Sequence, residues 1–188
     1  MTIGLLKETS PETRVSLLPE HITQLKKWKV DVLVEKSAGE TAFASDAAYQ
    51  AAGAQVVSRE DVLQRSTLVS CIHAPSDSDM LICKAQVVFG LFQPLYFATR
   101  IKQWAEKGFT VFSIDMLPRT TRAQSMDILS SQANIAGYKA VLLAANLFPK
   151  YFPMFMTAAG SIPPAKMLIL GAGVAGLQAI ATGKRLGA

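Results

Sequence analysis

The chain has 188 residues, 50% of them hydrophobic and 18% charged, with a net charge of +5. That is enough for one or two well-packed domains and excludes a disordered polymer. No apolar run reaches the ~18 residues of a membrane-spanning helix; the longest candidate, residues 140–148, is too short. The N-terminus lacks the basic leader and apolar stretch of a secretory signal.

Basic residues are scattered apart from Lys26, Lys27 and Lys29, which read as the exposed end of a helix and not as a nucleic-acid surface. Cys71 falls in a strand pattern and reads as a buried reduced thiol, not half of a disulfide with Cys83, which fits a cytoplasmic setting.

Strand and helix signals alternate along the chain, predicting a mainly parallel sheet with helices on both faces. Residues 3–6 predict a strand, and residues 19–29 an amphipathic helix with Ile22, Leu25 and Trp28 three apart. A strand at 30–34, a helix at 46–52 closed by Gly53, and a strand at 54–57 follow. Next come a helix at 59–65, a strand at 67–72 and a central apolar strand at 86–92. Pro94 opens a helix that Gly108 stops, and residues 109–114 form a sixth strand. A long helix is expected from about Thr121 to Leu147, with Ala133, Gly137, Ala140 and Ala144 as a small-residue stripe for close packing.

Pro149, Pro153, Gly160, Pro163 and Pro164 mark residues 148–165 as a linker. The expected organisation is therefore an N-terminal α/β domain over 1–147, the linker, and at 166–188 the start of a second, dinucleotide-binding Rossmann domain. That last segment carries the most specific signal. An apolar strand, Met167 to Leu170, runs into Gly171, Ala172, Gly173, Val174, Ala175 and Gly176, a GxGxxG turn opening a helix. The first glycine permits the tight turn, the second lets backbone approach a pyrophosphate, and the third lets helix pack on strand. The helix N-terminus then offers free N–H groups to the phosphates. A glycine-rich turn that binds nothing is the competing reading.

Several stretches resemble one known family: residues 4–8, Arg14 with Val15, 38–40, 52–54, Pro118 with Arg119, 122–127, 129–131, 133–138, 157–160, 163–166 and 171–176. The chain looks like the alanine dehydrogenase and pyridine nucleotide transhydrogenase family over its whole length. Within it, residues 118–138 look like the NAD(H)-binding domain of a proton-translocating NAD(P) transhydrogenase alpha subunit. The resemblance implies direct hydride transfer between NADH and NADP⁺, coupled to proton movement. It implies NAD(H) on this subunit and NADP(H) on a partner domain, with membrane-spanning partners, a homodimer, and a cytoplasmic position peripheral to the inner membrane.

Two alternatives stand beside that expectation. The dehydrogenase branch is expected to use an arginine near the N-terminus, a lysine and a histidine. Here those positions hold Arg14, His73 and Gln93, and glutamine is no general acid or base near neutral pH. The third reading is a truncated non-catalytic module that binds NAD weakly or not at all.

By resemblance, Gln124 and Ser130 contact the nicotinamide end, while Arg119 and Asp127 pair and shape the site. Without the family, Thr121 and Gln124 read as a capping box, and Asp127 as a residue favouring the helix dipole. No set of His, Cys, Asp and Glu has metal-ligand spacing, and no metal is expected.

Overall fold

The computed structural model describes residues 1–188. They divide into two compact units, Met1–Pro118 and Arg119–Ala188.

The first unit is a six-stranded sheet with five parallel pairings. Its strands are β1 (Thr2–Leu5), β2 (Asp31–Glu35), β3 (Gln55–Val57), β4 (Leu68–Ser70), β5 (Val87–Gly90) and β6 (Thr110–Ser113). They lie in the order β3-β2-β1-β4-β5-β6. This is the doubly wound Rossmann order, with its reversal between β1 and β4. The strand at 86–92, expected to be central, lies inside the sheet, one place beyond that pair.

The helices are α1 (Pro19–Lys27), α2 (Asp46–Ala51), α3 (Arg59–Arg65), α4 (Asp77–Ile82) and α5 (Ala98–Glu106). The two-residue period of a strand decides which face each side chain serves. Val32 and Val34 of β2 join Leu5, Ile22 and Tyr49 in one core. Leu33 between them joins Val62, Leu63, Val88 and Trp104 in the other. Phe92 and Trp104 meet edge to face at 5.3 Å.

Three local expectations change here. The helix expected from Pro94 starts at Ala98, because residues 94–96 form a turn on the carbonyl of Gln93, itself at φ 48. Trp28 lies beyond the end of α1 and is 71% exposed, so Ile22 and Leu25 carry the apolar face without it. Helix α4 has no counterpart among the expected elements. Ser76 and Asp79 form a reciprocal capping box there, and the spacing of those two residues is its signal in the sequence.

The second unit contains α6 (Ile128–Leu147), β7 (Phe155–Thr157), β8 (Gly160–Ile162) and α7 (Val174–Arg185). Strands β7 and β8 form an antiparallel hairpin inside the stretch expected to be a linker. The long helix packs with the glycine-rich segment, in this unit, and Pro118 divides the compact units. The expected first-domain boundary falls after that helix instead. Val141, Phe152 and Ala179 form the core, with Met167 and Ile169 packed against it. Residues 166–170 lie beside that core but have no hydrogen-bonded strand neighbour within 1–188, so they form no ladder. Leu168 and Leu170, on the other side, are 85% and 89% exposed.

Candidate functional site

The expected site residues fall in two groups, both in the second unit. The first surrounds the start of α6. That helix begins at Ile128, not Thr121: residues 121–123 form a turn and 124–126 a 3₁₀ turn. The Thr121–Gln124 capping box is therefore not formed. Asp127 is the cap instead, accepting from Ser130 N at 2.9 Å and from Ser130 Oγ at 2.7 Å. Its carbonyl accepts from Ser131 Oγ at 3.2 Å. The Ser130 hydrogen bonds hold the Asp127 carboxyl below its ordinary value, with a smaller contribution from the charge of Arg119.

The ion pair expected between Arg119 and Asp127 is absent: no nitrogen of Arg119 comes within salt-bridge distance. Asp127 already has both oxygens on Ser130, and Arg119 remains exposed. Gln124 is exposed as well. What the fold brings together is Asp127 with Ser130. Ser130 Oγ donates to the carboxylate and keeps lone pairs for an incoming N–H.

The second group is the glycine turn. Gly171 has φ 107, a conformation that side chains resist. A Cβ on Gly176 would stand 2.0 Å from Gly171 O, so only glycine lets α7 start this close to the incoming chain. A Cβ on Gly173 would meet nothing within 4 Å, leaving open space over the turn. No side chain caps α7, whose first-turn N–H groups face that opening. The cradle fits a pyrophosphate: small, backbone-lined and at the positive end of a helix.

The two groups are linked through the helices. A Cβ on Gly137 would fall 2.1 Å from Ala175 O, and Asn134 Nδ2 donates to Gln178 Oε1 at 3.2 Å. Helices α6 and α7 therefore run in opposite directions. Asp127 stands about 15 Å along α6 from the level of the glycine turn, at ~1.5 Å rise per residue. Of the small-residue stripe, Gly137 is buried in the crossing, whereas Ala140 and Ala144 are exposed. Two clefts in this unit, one of about 230 Å³ behind Phe148 and Phe152, the other of about 490 Å³ beside Tyr151 and Arg185, include none of the expected site residues.

The first unit has its own polar cluster at the carboxyl ends of β1 and β4. Glu12 accepts from Arg14 Nε at 2.8 Å and Nη2 at 2.6 Å, and the guanidinium pulls its carboxyl down to about 2. Glu8 accepts from the N–H groups of Ile72 and His73 and lies 3.1 Å from His73 Nδ1. Gln93, the third position of the dehydrogenase pattern, is exposed. Alongside, Arg59 bridges Asp79 and Glu35 at 2.8 and 2.7 Å. The cleft holds about 60 Å³, room for a few waters and far below the ~300 Å³ of small-molecule pockets. Cys71 is buried and Cys83 half-buried, both without a disulfide, and burial pushes the Cys71 thiol up. No group of three or more metal-ligating side chains occurs, and no helix is long and apolar enough to cross a membrane.

Fold and turn together define a Rossmann-like α/β protein followed by a dinucleotide-binding strand–turn–helix. The family profile "Alanine dehydrogenase/PNT, N-terminal domain" matches residues 4–136, and "Alanine dehydrogenase/PNT, C-terminal domain" matches residues 140–188. The chain belongs to the alanine dehydrogenase/pyridine nucleotide transhydrogenase family. It is 42% identical, over its whole length, to the first of the separately encoded pieces of NAD(P) transhydrogenase subunit alpha in Rhodospirillum rubrum, covering 51% of that protein. It is also 42% identical to NAD(P) transhydrogenase subunit alpha of Cereibacter sphaeroides, covering 36%. The transhydrogenase structure from Sinorhizobium meliloti superposes with a TM-score of 0.95 at 42% identity, over all of this chain and 57% of that one. An L-alanine dehydrogenase structure gives 0.85 at 28%, over all of this chain and 53% of that one. The chain spans about half the length of the curated relatives it matches first.

Proposed function

We propose that this chain is the front portion of the NAD(H)-binding subunit of a proton-translocating NAD(P) transhydrogenase. The observation that carries this reading is the 42% identity to transhydrogenase alpha subunits across the whole chain, against 28% to alanine dehydrogenase. The closed cluster at the β1–β4 reversal argues the same way: Arg14 and His73 are engaged by Glu12 and Glu8, and Gln93 offers no acid or base.

The bound nicotinamide supplies the hydride-carrying carbon, and hydride passes directly between NADH and NADP⁺ with no substrate proton to move. The protein's work is then orientation. Ser130, fixed by Asp127, accepts from the carboxamide N–H, and Gln124 offers both donor and acceptor. Arg119 supplies positive charge nearby. Gly171, Ala172, Gly173, Val174, Ala175 and Gly176 take the pyrophosphate on backbone N–H groups. NADP(H) and the proton path belong to partner domains or subunits, one of them membrane-spanning. Through them this chain is held at the cytoplasmic side of the inner membrane, as a homodimer.

The test is hydride transfer from NADH to an NADP⁺ analogue in the assembled enzyme. Gln124→Ala and Arg119→Ala are expected to slow it by ~10–100-fold, with the melting temperature unchanged. Normal rates in both variants sink the assignment.

A further inference from the structure

The hairpin of β7 and β8 stands alone as a two-stranded sheet. An isolated two-stranded hairpin is marginally stable in water, and both of its edges offer unpaired N–H and C=O groups. All six of its residues are exposed. Phe155 pairs across the strands with Ile162 on one face, while Met156 points to the opposite face opposite Ser161. Apolar side chains therefore project from both faces of the ribbon. Phe155 is 46% exposed, Ile162 45% and Met156 68%. Tyr151 packs edge to face on Phe155 at 5.6 Å and, with Met154, extends the surface at 54% and 62% exposure.

Two further observations narrow the occupant. Residues 151–165 contain no charged side chain, in a chain of net charge +5. Two copies of a positively charged chain can join such a face without apposing like charges, and a surface rich in aromatic residues and Met, without charge, has the composition of an interface core. Large apolar side chains carry on the order of 150–250 Å² each, so five of them about half exposed offer roughly 500 Å² per copy. Two copies then bury about 1,000 Å², the threshold of a specific interface.

We infer that this hairpin, with Tyr151 and Met154, is the surface on which a second copy of the chain docks. The contact is isologous: the ribbon of each copy is covered by the other. This inference rests on the homodimer within the proposed function and not on hydride transfer; a chain that stayed monomeric yet transferred hydride would defeat this inference alone.

Sedimentation of the whole chain is the test. The expected mass is twice the 20.3 kDa of one chain. Met156→Asp and Met156→Lys are each expected to raise the dimer Kd by ~100-fold or more, through like charge at the contact. An equal mixture of the two variants is expected to recover the dimer, which a misfolded hairpin would not. Monomeric wild-type protein, a dimer indifferent to both substitutions, or a mixture that stays monomeric would each overturn the inference.

Discussion

The two units solve the same problem with unequal means. The first wraps a complete six-stranded sheet between two clusters of eleven and eight buried residues. The second has three buried core residues and holds its shape by backbone contact at Gly137 and Gly176. Stability in the first is spread over many apolar contacts, each replaceable to some extent. In the second it is concentrated at two positions where one added methyl has nowhere to go. The unit that carries the candidate nucleotide turn is thus the one with least tolerance for change.

The comparison breaks first at the helix crossing. Gly137→Ala puts a Cβ 2.1 Å from the Ala175 carbonyl oxygen, and a loss of about 3 kcal/mol in unfolding free energy is expected. Gly173→Ala, with open space at its Cβ, should cost no more than ~1 kcal/mol. In the assembled enzyme the same change should weaken NADH binding, measured by fluorescence titration. Equal destabilisation by the two substitutions would remove the steric account.

In the first unit the most damaging polar change is Arg59→Ala, which leaves the Asp79 and Glu35 carboxylates together without their cation. About 3 kcal/mol is expected in denaturant unfolding, concentrated in the sheet unit. The same network sets an acid limit. Arg59 holds the Asp79 carboxyl down at about 2, and Arg14 holds Glu12 there too. Carboxyls depressed in the folded state stabilise it above their ordinary value near ~4. That contribution is lost as pH falls from ~4 toward 2, so stability should drop across that window. In Asp79→Asn the drop should be shallower; an unchanged slope would show that the pair does not contribute.

Smaller effects sharpen the contrast. Asp127→Ala removes the cap of α6 and should cost about 1 kcal/mol by thermal unfolding. Leu170→Ser, at 89% exposure and without a ladder partner, should change stability by less than ~0.5 kcal/mol. A large loss there would mean that this extended segment is held by contacts of its own.

Local rules are readable where one short stretch decides the outcome. The alternation of Val32, Leu33 and Val34, the helix at 59–65 and the GxGxxG turn depend on neighbours in the chain, so the α/β class and the parallel sheet can be read directly. The start of α6 cannot. Thr121 and Gln124 satisfy one capping pattern and Asp127 with Ser130 another, and only the folded chain chooses the second. The absent pair of Arg119 and Asp127 follows from the same choice, because a carboxylate fully engaged by its own helix has no oxygen left for a distant arginine. Proline and glycine between 148 and 165 look alike in a linker and in a hairpin, and cross-strand pairing makes the difference.

Sequence alone, through periodicity and a glycine spacing that few backbones require, determined the class of fold, the family and the turn offered to a pyrophosphate. The tertiary structure decided which helix the small residues face, where the compact units divide and which charges are already neutralised. Those outcomes depend on contacts between residues far apart in the chain, as where Gly137 meets Ala175, and no local pattern encodes such a distance.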